Sequence, residues 1–353
     1  MKILLLSPLP PFRGGIAQFG SRLLHSMKKL NSDTEGINFS KLYPPVLFPG
    51  KTQLEQGSTA PDGILHGYNP LAWPKAAARI KEMQPDWIIT QWWHPFFAPC
   101  FNFTIPANFR TAAVCHNLLP HESFPFAKAL ARSFLSRQNV LAVHTAQAAE
   151  EAKRFSGRTV KLFHPVYDQY NLTGLARNEA RRKLGLNENQ TALLFFGLVR
   201  EYKGLDLLIE ACSSLPEEYR IIAAGENYTS RNYASPRLLW ENRFIPDSQV
   251  GTWFNASDIV VLPYRSATQS GIAKIALSFR KPLVVTPVGG LPDSVEQGLT
   301  GWVSKDTSSK SLAEAILQCK NLIDKPETAR AIAAKAASLS WGKYAEKLLE
   351  ALE

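Results

Sequence analysis

The sequence alternates between short apolar runs and longer segments in which apolar residues recur at helical spacing. The apolar runs predict buried strands at residues 2–7, 86–90, 111–115, 140–144, 192–196, 220–224, 258–262 and 283–286. The helical spacing predicts helices that include residues 16–29, 73–83, 146–155, 177–184, 311–322 and 327–352. Repeated strand-then-helix units are typical of an α/β protein whose parallel sheets are covered on both faces.

The chain is long enough for two such domains, since domains usually contain about 100–200 residues and this chain has 353. Residues 162–171 (LFHPVYDQYN) are polar and aromatic and are interrupted by Pro165, which indicates a hinge. We therefore predict an N-terminal Rossmann-like domain at residues 1–168 and a C-terminal Rossmann-like domain at residues 169–325. Residues 326–353 are expected to form a C-terminal helix. Packing of this helix back toward the first domain is left open.

Composition narrows the class of protein. The sequence is 45% hydrophobic, and it lacks an uncharged apolar run of the ~18 residues that a membrane-spanning helix needs. The apolar run at residues 3–6 is too short for a secretory signal peptide. The four cysteines are widely spaced, which excludes the usual metal and redox motifs and fits a reducing cytoplasm, with each thiol buried.

The net charge of +10 is concentrated in the first half of the chain. Residues 1–168 contain 18 Lys and Arg against 10 Asp and Glu (+8), and residues 169–353 contain 22 against 20 (+2). A basic first half suits an anionic partner, such as a membrane surface or a phosphorylated acceptor, and the alternative is a solvated surface with no partner. Because no nucleic-acid-binding motif accompanies this charge, we expect no nucleic acid partner.

Glycine-containing turns follow three of the predicted strands. They lie in residues 8–15, 195–211 and 267–302. Backbone amides at such turns, together with the start of the next helix, suit a phosphate group, and two turns in the second half suit a diphosphate. Ligands of open parallel sheets bind beyond the carboxyl ends of the strands. We therefore expect the two domains to face each other across a cleft, as in a two-substrate enzyme.

These segments resemble the retaining glycosyltransferases of family 4, which have the GT-B fold. The resemblance spans nearly the whole chain, and its most specific part is KPLVVTPVGGLPDSV at residues 281–295. The other matching segments are PPFRGGIAQF at 10–19, CHN at 115–117, FG at 196–197, YKG at 202–204 and DIVVLPY at 258–264. The resemblance implies a metal-independent transfer that retains the configuration of the sugar and needs no cofactor.

The sequence departs from the family in the donor loop. Most members carry two glutamates eight positions apart, and Ala267 and Ile275 occupy those positions here. The chain is similar to a subgroup with TQSG at this place. Leu198 replaces the usual arginine after the glycine, and Arg200 is the expected substitute.

The resemblance implies a role for individual residues. His116, Lys203 and Arg200 are the candidate catalytic residues: Lys203 and Arg200 neutralise the leaving diphosphate, and His116 contacts the donor sugar. The candidate donor-binding residues are Gly14, Gly15, Gly197, Thr268, Gln269, Ser270, Gly271 and Ile272. The candidate acceptor-binding residues are Arg13, Lys51 and His94. His94 and His121 are also rivals of His116, although the aromatic run around His94 is equally consistent with core packing.

The resulting prediction is a cytoplasmic glycosyltransferase that moves a sugar from a nucleotide-diphosphate sugar to a glycan or lipid-linked acceptor. This transfer would belong to the synthesis of cell-surface polysaccharides or glycoconjugates. Whether the protein also binds peripherally to the inner face of the membrane is left open. Two alternatives remain at this stage. They are a nucleotide-sugar epimerase and a non-catalytic GT-B binding subunit, the second supported by the missing glutamates.

Overall fold

The structure is a computed structural model that describes residues 1–44, 52–55, 57–59, 61–119, 126–155, 157–167, 170, 174–267 and 270–353. The chain divides into two units, the first formed by residues 1–163 and 341–353 and the second by residues 164–340. This division and the boundary predicted after residue 168 fall in the same connecting stretch. Within the described residues, no helix has both the length and the apolar character needed to cross a membrane.

The first unit is built on a six-stranded parallel sheet. Its strands follow the order β2-β1-β5-β6-β7-β8. Their bounds are Ile3–Leu6 (β1), Thr34–Ile37 (β2), Trp87–Trp92 (β5), Arg110–Cys115 (β6), Val140–Val143 (β7) and Arg158–Lys161 (β8). A separate pair consists of Phe39–Lys41 (β3) and Leu65–His66 (β4). The central strands β1, β5 and β7 are buried along their whole length, which explains the continuous apolar sequences of β1 and β7, whereas β5 also buries the polar Thr90 and Gln91.

Helices pack on this sheet through their apolar faces. They are Gly15–Leu30 (α1), Trp73–Met83 (α2), Ala98–Thr104 (α3), Ala127–Leu135 (α4), Ala146–Ala152 (α5) and, near the end of the chain, Trp341–Glu350 (α12). In α1 the buried residues Phe19, Leu23 and Met27 confirm the predicted helical face. The last helix is attached through Tyr344, whose hydroxyl lies 3.0 Å from His144 Nε2 and whose ring is 5.6 Å from that of Phe19.

The second unit repeats the architecture with a second six-stranded parallel sheet. Its strand order is β11-β10-β9-β12-β13-β14. Strands β9 to β11 are added in one direction across the sheet and strands β12 to β14 in the other, so the order of the strands reverses between β9 and β12. The strands are Thr191–Phe196 (β9), Tyr219–Ala224 (β10), Leu238–Glu241 (β11), Ile259–Leu262 (β12), Leu283–Val285 (β13) and Gly301–Val303 (β14). The crevice beside such a reversal, at the carboxyl ends of the strands, is where doubly wound sheets bind ligands.

The helices of the second unit include one correction to the sequence prediction. They are Arg177–Lys183 (α6), Leu205–Ser213 (α7), Asp247–Ala256 (α8), Gly271–Ser278 (α9), Ser309–Lys320 (α10) and Pro326–Ser338 (α11). The single helix predicted at residues 327–352 is wrong, because the chain leaves helical geometry at Leu339 before α12 begins. The Leu339 carbonyl instead accepts a hydrogen bond from Val166 N (3.0 Å), which ties this break to the connecting segment.

A buried ionic network holds the amino ends of β9 and β12 together. Asp258, which is 6% exposed, accepts hydrogen bonds from Arg177 Nη2 (2.6 Å), Arg181 Nη1 (3.1 Å) and Ala192 N (2.7 Å). Arg181 is itself only 1% exposed and also donates to the Ala256, Asn187 and Gln190 carbonyls. Because these contacts lie at the amino ends of the strands, Asp258 stabilises the fold and lies away from the ligand-binding edge.

Candidate active site

The predicted basic turn of the second unit follows β9 and brings a lysine back over the strand end. Gly197 has φ +94°, a left-handed conformation that favours glycine. A Cβ at this position would lie 3.3 Å from Lys203 Nζ and 3.5 Å from Ile272 Cδ1. Three predicted site residues, Gly197, Lys203 and Ile272, therefore meet at the carboxyl ends of the central strands.

Lys203 is partly buried, and no carboxylate within the described part of the chain forms an ion pair with it. Its ammonium lies 5.8 Å from the centre of the Tyr264 ring, within the range of a cation–π contact. Burial first, and then the charge of Arg200, lower the pKa of Lys203 to about 8. The ammonium is thus charged at neutral pH but poorly compensated, a state that a bound anion would relieve.

The turn that carries Lys203 is held by a second set of charges. Arg265 Nη1 and Nη2 each donate to the Asp206 carboxylate at 2.9 Å, and Nη1 also donates to the Glu201 carbonyl at 2.9 Å. Gly204, with φ +67°, lets the turn approach closely, since a Cβ there would overlap the Pro263 carbonyl. These contacts hold the backbone of the turn in place relative to the end of β12. The Lys203 ammonium takes no part in them.

Arg200 lies at the start of the same turn, where its carbonyl accepts from Lys203 N (2.9 Å). Its guanidinium is 5.5 Å from the centre of the Tyr228 ring. The structure therefore places Arg200 and Lys203 on one short turn, and Arg200 raises the local positive potential, as its effect on the pKa of Lys203 shows.

The donor loop leads into α9. Ser270 is buried and forms the N-cap of this helix, and its hydroxyl lies 3.4 Å from the Tyr264 hydroxyl. Gly271 passes close to the connecting segment, since a Cβ there would lie 3.3 Å from Tyr167 Cε2. No acidic residue occupies the first turn of α9. The predicted contacts Thr268 and Gln269 lie outside the described residues.

The positions of the two missing glutamates differ in their surroundings. Ile275 is 6% exposed and forms part of the apolar core, whereas Ala267 is half-buried beside the donor loop. Lys281, from the most family-like segment, donates to the carbonyl oxygens of Ser257 (2.7 Å) and Asn255 (3.4 Å). This lysine therefore supports the end of α8, which gives it a structural role.

In the first unit, the predicted glycine turn connects β1 to α1. Gly14 is the N-cap of α1 and has φ +99°, so its conformation favours glycine. No atom of the described residues lies within 4 Å of a Cβ built at Gly14 or at Gly15, so these residues leave space over the start of the helix. Arg13 N donates to the Gln53 carbonyl (3.1 Å), which places Arg13 beside residues 52–55.

His116 directly follows β6, at the carboxyl edge of the first sheet. Its Nε2 lies 2.7 Å from Gln91 Oε1, and the Phe19 ring packs edge-on against its ring at 4.6 Å. His94 has a local role: its Nδ1 accepts from Phe96 N (3.2 Å) and caps the turn at Pro95–Phe97. The surrounding aromatic residues Trp92 and Phe97 belong to the core, which favours the packing interpretation of that run. Lys51 and His121 lie outside the described residues.

Sequence reasoning missed the residues that position these groups. Gln91 directly follows the strand predicted at residues 86–90, and a polar residue at that place is a signal that could have been used. Tyr264 was assigned to a strand motif, and Asp206 was not singled out in its helix. The Arg265–Asp206 pair joins positions far apart in sequence, so spacing offers no signal for it.

Comparisons with known proteins find a family profile within the second unit and curated relatives that match more than half of the chain. The profile of the family described as Glycosyl transferases group 1 matches residues 176–339. D-inositol 3-phosphate glycosyltransferase 1 of Catenulispora acidiphila is 27% identical over 235 residues, 59% of this chain and 56% of that protein. TuaC of Bacillus subtilis, a glycosyltransferase assigned provisionally by name to teichuronic acid biosynthesis, is 32% identical over 219 residues, 60% and 55% of the two chains. The chain thus spans about half the length of the curated relatives it matches.

Over the full chain, the fold is that of solved GT-B glycosyltransferases. The structure of Anabaena Alr3699/HepE in complex with UDP-glucose matches with a TM-score of 0.72 at 17% identity, covering 100% of this chain and 99% of that one. At this identity the likeness shows the fold alone. The prediction of a GT-B fold with two parallel-sheet α/β domains is confirmed, and residues 176–339 are similar to the Glycosyl transferases group 1 family.

Proposed function

We propose that this protein transfers a sugar from a nucleotide-diphosphate sugar to a glycan or lipid-linked acceptor, with retention of configuration, as a member of family 4. The observation that carries the proposal is the Lys203 ammonium, which lies beside Gly197 and Ile272 without a carboxylate partner among the described residues. The names of the matched relatives, and the UDP-glucose in the HepE structure, support a nucleotide-sugar donor. TuaC supports a role in cell-surface polysaccharide or glycoconjugate synthesis.

In this proposal the second unit binds the donor. Lys203 and Arg200 contact the diphosphate and neutralise the charge that it gains when the sugar–phosphate bond breaks. Thr268, Gln269, Ser270, Gly271 and Ile272 supply amides, side chains and the start of α9 to the sugar diphosphate. Gly197 keeps the space above β9 free of a side chain, so that Lys203 and the phosphate can approach the backbone.

The first unit binds the acceptor in this proposal. The acceptor oxygen bonds to the anomeric carbon on the face from which the diphosphate departs, and its proton passes to a departing phosphate oxygen. His116 contacts the donor sugar and orients it, while Gly14 and Gly15 allow the backbone to approach the diphosphate. Arg13, Lys51 and His94 are the proposed acceptor contacts.

The two alternative functions receive no support from the comparisons. The relatives from Catenulispora acidiphila and Bacillus subtilis are both named as glycosyltransferases, and neither is named as an epimerase or a binding subunit. Ile275, at the position of the second family glutamate, is 6% exposed and belongs to the core.

A donor screen tests the proposal. UDP, GDP and ADP would each be added to the purified protein, and we expect one of them to raise the melting temperature. The matching nucleotide-sugars would then be incubated with extracts of bacterial glycans and lipids, and we expect release of the nucleoside diphosphate to depend on the acceptor. Release without acceptor would favour the epimerase, and no stabilisation by any nucleotide would contradict donor binding.

We further propose that transfer does not need a metal ion, because Lys203 and Arg200 provide the positive charge. Treatment with EDTA is expected to leave the initial rate of transfer unchanged. The control is a parallel reaction with added Mg²⁺, which should proceed at the same rate. A strict requirement for Mg²⁺ would contradict the role given to the two cations.

The lowered pKa of Lys203 predicts a pH dependence of nucleotide binding. Its ammonium is charged below a pKa of about 8 and loses its proton above that value, whereas a bound diphosphate holds the proton. The affinity for the nucleoside diphosphate should therefore fall about tenfold between pH 7.5 and 9.5, measured by isothermal titration. In Lys203→Met, the same pH change should have little effect, and an equal loss in both proteins would assign the titration to another group.

We propose a cytoplasmic protein that contacts the inner face of the membrane at its periphery. The net charge of +8 in residues 1–168 supports this proposal, because a basic segment is attracted to anionic lipids. A lipid-linked acceptor would be reached at the same surface.

A further inference from the structure

Asp206 joins three loops at the carboxyl edge of the second sheet. It lies in the first turn of α7, three residues after Lys203, and its side chain is 27% exposed. Two arginines reach it from loops that follow neighbouring strands, Arg265 after β12 and Arg231 after β10. Because β10 and β12 flank β9 in the sheet, this carboxylate connects the Lys203 turn to the loops on both sides of it.

Both oxygens of this carboxylate are used. Oδ1 accepts from Arg265 Nη1 (2.9 Å), and Oδ2 accepts from Arg265 Nη2 (2.9 Å) and from Arg231 Nη1 (2.8 Å). Partial burial raises the pKa of Asp206, but the hydrogen bonds and charge of Arg265, with the charge of Arg231, lower it overall, so the group is ionised at neutral pH. An amide here would turn its own NH₂ group toward a guanidinium that can only donate.

Backbone hydrogen bonds continue the connection on both sides of the turn. Arg265 N donates to the Tyr202 carbonyl (2.6 Å), one residue before Lys203. On the other side, Tyr228 N donates to the Val199 carbonyl (2.9 Å). The two amides therefore report on the attachment of the turn to the loop after β12 and to the loop after β10.

The loop after β10 is held in shape by its own polar groups. Asn227 Oδ1 accepts from the backbone nitrogen and the hydroxyl of Thr229 (both 2.9 Å), and Asn227 Nδ2 donates to the Arg231 carbonyl (2.9 Å). Tyr228 lies within this bonded segment, and the centre of its ring is 5.5 Å from the Arg200 guanidinium. Through Arg231, Asp206 thus also holds the ring on which Arg200 lies.

These ion pairs are better suited to placing loops than to stabilising the fold. The side chains of Arg231 and Arg265 are 54% and 45% exposed, so water and salt screen their charges and the pairs add little to the stability of the unit. A carboxylate that accepts two parallel bonds from one guanidinium, as Asp206 does from Arg265, fixes direction as well as distance.

We propose that Asp206 is a positioning residue that, by binding Arg231 and Arg265 at once, holds Lys203 and Arg200 where they bind a diphosphate together. It thereby sets the preference of the site for a nucleoside diphosphate over a monophosphate. This consequence for the ligand rests on the proposed function, whereas the linkage of the three loops can be measured without any ligand.

Hydrogen exchange of the full chain without nucleotide tests the linkage. In Asp206→Asn we expect the Arg265 and Tyr228 amides to exchange about tenfold faster, while the Val260 amide in β12 keeps its protection and shows that the unit is folded. Glu179→Gln, which breaks an exposed pair with Lys183 in the same unit, is the matched control and should change none of them. Unchanged exchange at both loop amides in Asp206→Asn would overturn the linkage.

A second variant separates the two arms of the network. Arg231→Gln removes the contact of Asp206 with the loop after β10 but leaves both bonds from Arg265. The Tyr228 amide should therefore exchange faster while the Arg265 amide is unchanged. Faster exchange of both amides, or of neither, would contradict the separate arms.

A cycle of four proteins tests whether Asp206 acts through Lys203. Binding of UDP and UMP, or of the corresponding pair for the base found in the screen, would be measured by isothermal titration on the wild type, Asp206→Asn, Lys203→Met and the double variant. We expect Asp206→Asn to lower the preference for the diphosphate about tenfold, and to lower it little further when Lys203 is already replaced.

The sign of this change distinguishes position from charge. A smaller folded fraction would weaken both nucleotides alike and leave the preference unchanged. Removing a negative charge near a phosphate site would by itself favour the more highly charged diphosphate. A fall in the preference therefore reports the lost position of Lys203. An unchanged or increased preference in Asp206→Asn, or an equal fall in both backgrounds, would overturn the positioning role.

The results for the positioning role and for the proposed function can be told apart. If the loop amides lose protection in Asp206→Asn but no nucleotide-sugar is turned over, the linkage stands and the function fails. If transfer occurs but Asp206→Asn keeps the wild-type preference, the positioning role fails and the function stands. If the wild type binds neither nucleotide, the consequence for the ligand is contradicted and the exchange experiment still decides the linkage.

Discussion

Replacing Lys203 with methionine is expected to lower kcat/KM by about 10²–10³-fold, the usual cost of removing one group that stabilises charge in a transition state. Methionine keeps most of the side-chain volume, so the loss should come from the missing ammonium. The effect should fall mainly on kcat, because the diphosphate gains charge as the sugar–phosphate bond breaks. Steady-state kinetics with the donor found in the screen measures it.

The same variant should be at least as stable as the wild-type protein. Lys203 is partly buried without a carboxylate partner among the described residues, and burial lowers its pKa to about 8, so its charge opposes folding at neutral pH. We expect the melting temperature of Lys203→Met to be unchanged or higher. Lys183→Met is the matched control, since its exposed ammonium pairs with the exposed Glu179 of the same helix and should affect neither rate nor stability. Normal turnover in Lys203→Met would remove this residue from the mechanism.

The second large effect is expected on stability. Asp258→Ala would leave the guanidinium of Arg181, which is 1% exposed, without its carboxylate. Breaking a buried ion pair from one side costs about 3–5 kcal/mol. Because the two units need not unfold together, the loss is best measured by native-state hydrogen exchange of β9 and β12 amides whose acceptors remain in the variant, such as that of Val260, which donates to the Pro282 carbonyl.

Two further variants make that measurement specific to the buried pair. Glu179→Ala breaks the exposed pair with Lys183 in the same unit and should cost less than about 1 kcal/mol. Asp258→Leu combined with Arg181→Met removes both charges and should recover part of the stability lost in Asp258→Ala. A loss in Asp258→Ala as small as that in Glu179→Ala would show that the network contributes little.

The central strands could be predicted from the sequence, whereas several edge strands could not. Strands β1, β5 and β9 are buried on both faces, so their sequences are mostly apolar, with Thr90, Gln91 and Thr191 as buried polar exceptions. By contrast, β2, TEGI, and β8, RTVK, lie at the edges of the first sheet and carry exposed polar residues. Their strand conformation depends on pairing with a neighbour, which no local pattern records. All four cysteines are buried, as predicted.

The candidate site was predictable where it depends on local sequence. Gly197 and Lys203 belong to one strand–turn–helix segment, and His116 directly follows an apolar strand. The contacts that position these residues join distant parts of the chain, as Gln91 with Ser7 and Asp206 with Arg265 do, and spacing alone does not reveal them. The break of the last helix at Leu339 likewise depends on a hydrogen bond from Val166.

The most direct test of the central claim compares nucleotides that differ by one phosphate. Binding of UDP and UMP, or of the corresponding pair for the base found in the screen, would be measured by isothermal titration on the wild-type protein and on Lys203→Met. If the ammonium contacts the terminal phosphate, the wild-type preference for the diphosphate should largely disappear in the variant, while the monophosphate binds both proteins alike. An unchanged preference for the diphosphate in Lys203→Met would contradict the account.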